Sequence, residues 1–294
     1  MGANTKIQWT DKTWNPWWGC VKVSPACANC YAAGIDSREQ HKDWYQQGRH
    51  WGKNAPRHTW PHDSDHWREP ADWNKEAERK GIRFRTFCLS MGDVMEDRPD
   101  LTAERTKLYE VIEQTPYLDW LLLTKRPQNY RRFFPSAWII EPRKNVWLMT
   151  TVESQEHIWR IDEMRKVPAV VYGVSAEPLL GPITLPQKFL DLGETGWLIT
   201  GGESGPKSRT KNDGAWHWDL MRQCDPAGVP FFFKQHGTYI GMERLTKVLA
   251  EVMKNKTFET KEEEKAAKKV EKARLEHMFF DGKVYQNFPV IRYR

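Results

Sequence analysis

Six apolar runs of strand length recur along this chain, with helical patterns between several of them; this alternation constrains the fold more than any other feature. The runs are Phe84–Ser90, Trp120–Thr124, Val146–Thr151, Ala169–Ser175, Trp197–Gly201 and Val229–Lys234. Helical spacing fills Ala103–Gln114, Gln155–Lys166 and Trp216–Asp225. Strand, helix and strand in repetition predict parallel βαβ units. Segments such as LDWLLLT and VPFFFK are apolar almost throughout, as strands covered on both faces are.

The runs also end alike. They close as Ser90-Met91-Gly92-Asp93, Thr124-Lys125-Arg126-Pro127, Thr151-Val152-Glu153-Ser154, Ser175-Ala176-Glu177-Pro178, Gly201-Gly202-Glu203-Ser204 and Lys234-Gln235-His236-Gly237. In a (β/α) barrel the C-terminal strand ends carry the active site. A plainer reading makes these residues caps for the helices that follow. That accounts for Ser154 and Ser204. It accounts less well for Glu153, Glu177 and Glu203, which precede the cap or adjoin proline.

Ahead of the first run, Cys20, Cys27 and Cys30 form a C-x6-C-x2-C pattern with no fourth cysteine nearby. A structural zinc site usually closes with four protein ligands, whereas a reactive centre keeps a position open. Thiolate is a soft donor that suits iron–sulfur clusters, zinc and Cu(I). Three thiolates on one loop suit a [4Fe–4S] cluster with one iron free. Zinc stays open as an alternative, with Cys88 or a histidine from residues 41–66 as fourth ligand. Cys88 lies inside an apolar run and Cys224 on a helical pattern, so both are expected to be packing residues.

Five cysteines, an odd number with three in one loop, are not a disulfide framework and point to a reducing, cytoplasmic setting. No apolar h-region opens the chain and no stretch reaches 18 apolar residues, so neither a signal peptide nor a membrane span is expected. The 294 residues carry a net charge of +6 and 16 tryptophans, a balance that permits a polyanionic partner. Residues 36–80 form a Trp- and His-rich insertion, mixing stacking rings with cations in a way that suits nucleic acid. Residues 241–278 read as a charged, solvated helix, and Asp281-Gly282 as the turn of a small hairpin. The expected division is residues 1–240, with the insertion 36–80, as the barrel and residues 241–294 as a charged helical extension ending in the hairpin.

The segments IQWTDKTWNPWWGCVKVSPACANCYA, LSMGDVMED, LLLTKRPQNY, NVWLMTTVESQE, YGVSAEPLLGP, LITGGESG and GVPFFFKQHG stand in this order over about residues 6–237, and FFDGKVYQNFP follows near the end. Together they resemble a phage and prophage three-Cys-motif branch of the radical S-adenosylmethionine superfamily, related to spore photoproduct lyase. The resemblance implies a partial (β/α)6-type barrel, a [4Fe–4S] cluster on Cys20, Cys27 and Cys30, and S-adenosylmethionine as cosubstrate. The reduced cluster would cleave the sulfonium C–S bond to give a 5′-deoxyadenosyl radical. The superfamily spacing is C-x3-C-x2-C, and this chain departs from it in the first gap. An aromatic residue often precedes the third cysteine; here Asn29 does, and Tyr31 follows. The superfamily's Gly-Gly-Glu, which holds the methionyl amino group, follows the second strand. By position Ser90, Gly92 and Asp93 match it, although Gly201-Gly202-Glu203 spells it. Glu153 and Ser175 fall at the ribose and carboxylate contacts, and Glu203 is expected to face the pocket.

The resemblance further implies a one-electron donor such as flavodoxin or ferredoxin. The related lyase acts on thymine in DNA. The expected substrate is thus a nucleobase substituent in phage DNA, with thymidine hypermodification by isomerisation as the sharpest version. Lys125, Glu177 and Lys234 are candidate catalytic groups; the two lysines have no assigned role in the superfamily, and at a strand end each either binds a phosphate or carboxylate or pairs with a neighbouring glutamate. A lyase of damaged DNA is one rival. A zinc-stabilised nucleic-acid-binding or partner-regulating protein without catalysis is another.

Overall fold

The computed structural model describes residues 5–39, 49–205, 207–209, 214–238, 250, 253–254, 256–258, 260–276 and 284–291. The chain is α/β. Seven strands form one sheet in the order β1 (Lys12–Thr13), β4 (Phe84–Cys88), β5 (Leu118–Thr124), β6 (Val146–Thr151), β7 (Tyr172–Ala176), β8 (Gly196–Gly201) and β9 (Phe231–Gln235). A separate ribbon pairs β2 (Trp17–Trp18) with β3 (His58–Thr59) in antiparallel fashion. The registers β1–β4, β4–β5, β5–β6 and β8–β9 are all parallel. Each of the six expected strands is present to within a few residues at either end. Strand β1 is a seventh, and its two residues, Lys12 and Thr13, are too few to show a period in the sequence.

The chain forms two compact units. The first comprises Met1–Thr151, Trp159–Val174 and Ile291–Arg294. Its sheet is sealed by side chains with no exposure, Trp120, Leu121 and Leu122 on β5 among them. Each such side chain contributes roughly 1.5–3 kcal/mol by leaving water. Helix α1 spans Tyr31–Glu39 and α2 spans Glu69–Lys80. Pro70 opens α2, Gly81 closes it in the left-handed region (φ 63°), and the buried residues Pro70, Trp73 and Ala77 share one face. Helix α3 (Thr102–Gln114) follows, then α4 (Tyr130–Phe133), α5 (Ser136–Ile140) and α6 (Trp159–Met164). The single helix expected over 155–166 is thus a 3₁₀ turn, Gln155–His157, and a shorter helix.

The second unit comprises Val152–Ile158 and Ser175–Val290. It holds β8 and β9 with α7 (Gln187–Leu190), α8 (Ala215–Cys224) and α9 (Lys261–Glu276). The C-terminal segment returns to β9: Phe233 N–H donates to the Tyr285 carbonyl at 2.7 Å, and Asn287 N–H to that of Phe231 at 3.0 Å. The expected Asp281-Gly282 turn, Trp44 and His41 lie outside the described residues. Among the described residues no helix is long and apolar enough to cross a membrane.

Candidate functional site

The cysteine loop is gripped from two sides before it reaches its first thiol. Strand β2 fixes Trp17 and Trp18 against β3 of the insertion. Gly19 N–H then donates to the Met91 carbonyl beyond β4, at 2.8 Å, and the Cys20 carbonyl accepts Gly52 N–H at 3.0 Å. Gly19 sits at φ +113°, and a Cβ there would lie 2.3 Å from the His50 carbonyl oxygen. Only glycine meets both demands.

The insertion is itself locked by buried charge. Arg57 Nη2 donates to Glu96 Oε1 at 2.6 Å, and Arg57 Nη1 to the carbonyls of His50 and Ala55, each at 2.8 Å. His50 Nδ1 lies 2.9 Å from Asp36 Oδ1 on α1. His66 Nε2 lies 2.9 Å from the Asn15 carbonyl, and the Asn15 side-chain oxygen accepts Ser90 Oγ–H and Met91 N–H. Residues 49–67 are therefore structural support for the loop, a role their Trp and His content did not signal.

All three loop thiols are free and half-buried. Ser24 Oγ lies 3.8 Å from Cys27 Sγ. Cys30 packs against Trp18, Ala32 and Met91 at the start of α1. Burial and the Asp93 charge push the Cys20 thiol up to about 12, against the pull of Arg126. At Cys27 burial also raises the thiol, but Lys125 and hydrogen bonds from Val23 and Ser24 prevail, and hold it below its ordinary value. Among the described residues no three His, Cys, Asp or Glu side chains converge to hold a single metal ion. A cubane makes a different demand, since each thiolate binds its own iron. The donor set fits it in chemistry: three soft sulfurs, unbridged, on one loop.

The ends of β4 and β5 meet this loop. Asp93 is buried, and each carboxylate oxygen accepts two protein donors: Thr124 Oγ1–H and Met95 N–H on Oδ1, Lys125 N–H and Arg126 Nη1 on Oδ2. Burial alone would raise this carboxyl; Arg126 and the hydrogen bonds hold it below its ordinary value instead. The carboxylate expected to take a methionyl amino group is thus engaged by Arg126. Arg126 Nη1 also reaches Cys20 Sγ at 3.6 Å, and Nη2 donates to the Val21 carbonyl at 2.8 Å. Lys125 Nζ donates to Thr151 Oγ1 at 3.3 Å. Tyr31 is exposed and its hydroxyl donates to the Ser90 carbonyl at 3.1 Å. Gly92 packs so closely that a Cβ would lie 2.6 Å from Leu89 and 3.1 Å from the Gly19 carbonyl. Asn29 belongs to the same loop, between Cys27 and Cys30.

The remaining candidates belong to the second unit. Lys234 Nζ pairs with Glu177 Oε1 at 2.9 Å, and Gly201 leaves room for that carboxylate, since a Cβ there would lie 2.8 Å from it. Glu203 is buried and binds Arg209 through the backbone N–H at 2.6 Å and Nη2 at 2.7 Å. Glu153 is fully buried with His157 Nδ1 at 3.6 Å. Ser175 is buried, and its carbonyl accepts Val152 N–H at 3.0 Å. Cys88 and Cys224 are fully buried, as expected of packing thiols, and burial raises both.

A family model described as a protein of unknown function, DUF5131, matches residues 4–289. The chain belongs to that family. No curated protein and no solved structure matches it.

Proposed function

We propose that the protein is a radical S-adenosylmethionine enzyme whose [4Fe–4S] cluster is held by Cys20, Cys27 and Cys30. The observation that carries this reading is the loop itself: three unbridged thiols, pinned at Gly19 and Cys20 and met by the cations at the end of β5. The partial (β/α)6-type barrel belongs to the same proposal. When bound, the cluster supplies one electron to cleave the cosubstrate's sulfonium C–S bond. The chain's own part is to hold, orient and shield. Gly19 and Gly92 let backbone approach closely, and Asp93 fixes Arg126 beside Cys20. Lys125 brings positive charge to Cys27. Lys125, Glu177 and Lys234 are the candidates for substrate chemistry.

The proposed substrate is a nucleobase substituent in phage DNA, with isomerisation of a thymidine adduct as the specific reaction and a flavodoxin or ferredoxin as electron donor. A base in duplex must be flipped out to be reached. The positive charge of the chain supports a polyanionic substrate.

The test is anaerobic reconstitution with iron and sulfide, followed by EPR of the dithionite-reduced protein. A [4Fe–4S]+ signal that changes on adding S-adenosylmethionine is expected. Replacing any of Cys20, Cys27 or Cys30 by Ala should reduce bound iron to background while circular dichroism stays native. A colourless protein with one equivalent of zinc would overturn the reading. Digestion of treated phage DNA to nucleosides, followed by mass spectrometry and chromatography, tests the substrate.

A further inference from the structure

Arg126 has no part in the assignments above beyond its contact with Cys20, yet its placement is specific. Its side chain is only 9% exposed and that of its partner Asp93 6%, so the pair is shielded from solvent. The guanidinium is fastened at two nitrogens. Nη1 reaches both Asp93 Oδ2, at 2.7 Å, and Cys20 Sγ, at 3.6 Å. Nη2 donates to the Val21 carbonyl at 2.8 Å. The backbone cooperates, since Arg126 N–H donates to Thr124 Oγ1, whose own hydrogen goes to Asp93. Thr124 closes β5 and Arg126 stands two residues on, so the strand end sets the angle of the whole group. Arg126 thus ties the Asp93 carboxylate to a loop sulfur.

We infer that Arg126, aligned by Asp93, is a positioning residue that tunes the redox potential of a cluster ligated by Cys20. The inference rests on the cluster assignment proposed above. A hydrogen bond to a ligating sulfur, and a fixed cation beside it, both withdraw electron density and favour the reduced cluster. Low local dielectric makes such a charge count for more than it would at the surface. Asp93 moderates this effect, because its negative charge lies closer to Arg126 Nη1, at 2.7 Å, than the sulfur does, at 3.6 Å.

The experiment is potentiometric EPR titration of the reconstituted wild type and of Arg126→Gln, Arg126→Lys and Asp93→Asn. Arg126→Gln should disfavour reduction about tenfold, which is ~59 mV for one electron. Arg126→Lys, which keeps the charge, should recover most of the wild-type potential. Asp93→Asn, which removes the opposing charge, should move the potential upward, and it keeps the inference testable where Arg126→Gln takes up no cluster. Intact clusters with wild-type potentials in both Arg126→Gln and Asp93→Asn would overturn the inference and leave the enzyme class standing. A wild type that assembles no cluster would overturn the class, and this inference with it.

Discussion

At the end of β5, Lys125 brings positive charge to a thiol, and Arg126 brings it to a thiol as well as to the Asp93 carboxylate; beyond β7, β8 and β9, Lys234 and Arg209 bring it to carboxylates. The residue types at the two sets of strand ends are similar, and the sequence grammar that announces them is the same. What differs is the partner. A carboxylate next to a cation completes a neutral pair. At Cys27 the neighbouring Lys125 helps hold the thiol below its ordinary value, which favours the thiolate donor; at Cys20 burial and Asp93 outweigh Arg126. The comparison teaches that a polar strand end does not by itself mark a reactive one, and that the loop delivered to it decides.

The comparison breaks most sharply at the buried charges. Arg57 and Glu96, which support the cysteine loop, have side chains 1% and 3% exposed, whereas Lys234 and Glu177 are 33% and 13% exposed. Removing one partner of a fully buried pair leaves an uncompensated charge and costs about 3–5 kcal/mol. Arg57→Met should therefore lower stability by that amount in urea denaturation and release Gly52 from the Cys20 carbonyl. Lys234→Met, at a wetter pair, should cost only about 1 kcal/mol. Equal losses at the two sites would show that the cysteine loop is no better supported than the other strand ends.

Acid sharpens the same comparison at the histidines. Burial, with His50 and His66 nearby, lowers His58 to about 4; burial, with His236 nearby, lowers His217 to about 3. Both are kept neutral in the folded chain while the unfolded chain takes protons from about pH 6.5 downward. Folding stability is thus undiminished above pH 6.5 and falls as the pH drops toward each folded value, levelling off below it. His58→Phe, which retains a ring beside Trp60, should flatten this loss between pH 6.5 and 4. The measurement is the urea midpoint of wild type and variant at pH 7 and 4.5. An unchanged pH difference in His58→Phe would remove His58 as a source of acid sensitivity and leave His217, with its 2.7 Å contact to Thr200, as the dominant group.

Much of this architecture is legible in the sequence because it is local. Strand runs such as Leu118–Thr124 announce themselves by being apolar on both faces, and the expected packing roles of Cys88 and Cys224 follow from the elements that carry them. What the sequence does not disclose is pairing across long separations. Asp93 and Arg126 each read as a lone charged strand end; their contact depends on the parallel register of β4 and β5. Arg57 and Glu96 are 39 residues apart and carry no local pattern. The insertion reads as a nucleic-acid surface from its rings and cations. In the structure Trp67 and His58 are buried and His66 is stacked on Trp60 at 4.0 Å, contacts that brace the loop and that the sequence pattern does not disclose.

The smallest effect is expected at α9, where charge is dense and support is slight. Lys261, Lys265, Lys268 and Lys269 are exposed, Lys268 pairs with Glu264, and the first turn holds Glu262, Glu263 and Glu264. The acidic first turn complements the helix dipole, and the Glu–Lys pair sits at i,i+4, so the charges have a sufficient local reason to be there. A face of mixed sign projects little net field beyond a Debye length of about 8 Å at physiological salt. Changing all four lysines to Gln should therefore alter affinity for a DNA duplex less than twofold. It should also leave the slope of log K against log salt unchanged. If the helix instead tracks phosphates, each lysine releases counterions, and the slope should fall by about 0.9 for every phosphate no longer neutralised. A drop of roughly three to four in that slope would turn the helix from a solvated face into an electrostatic arm.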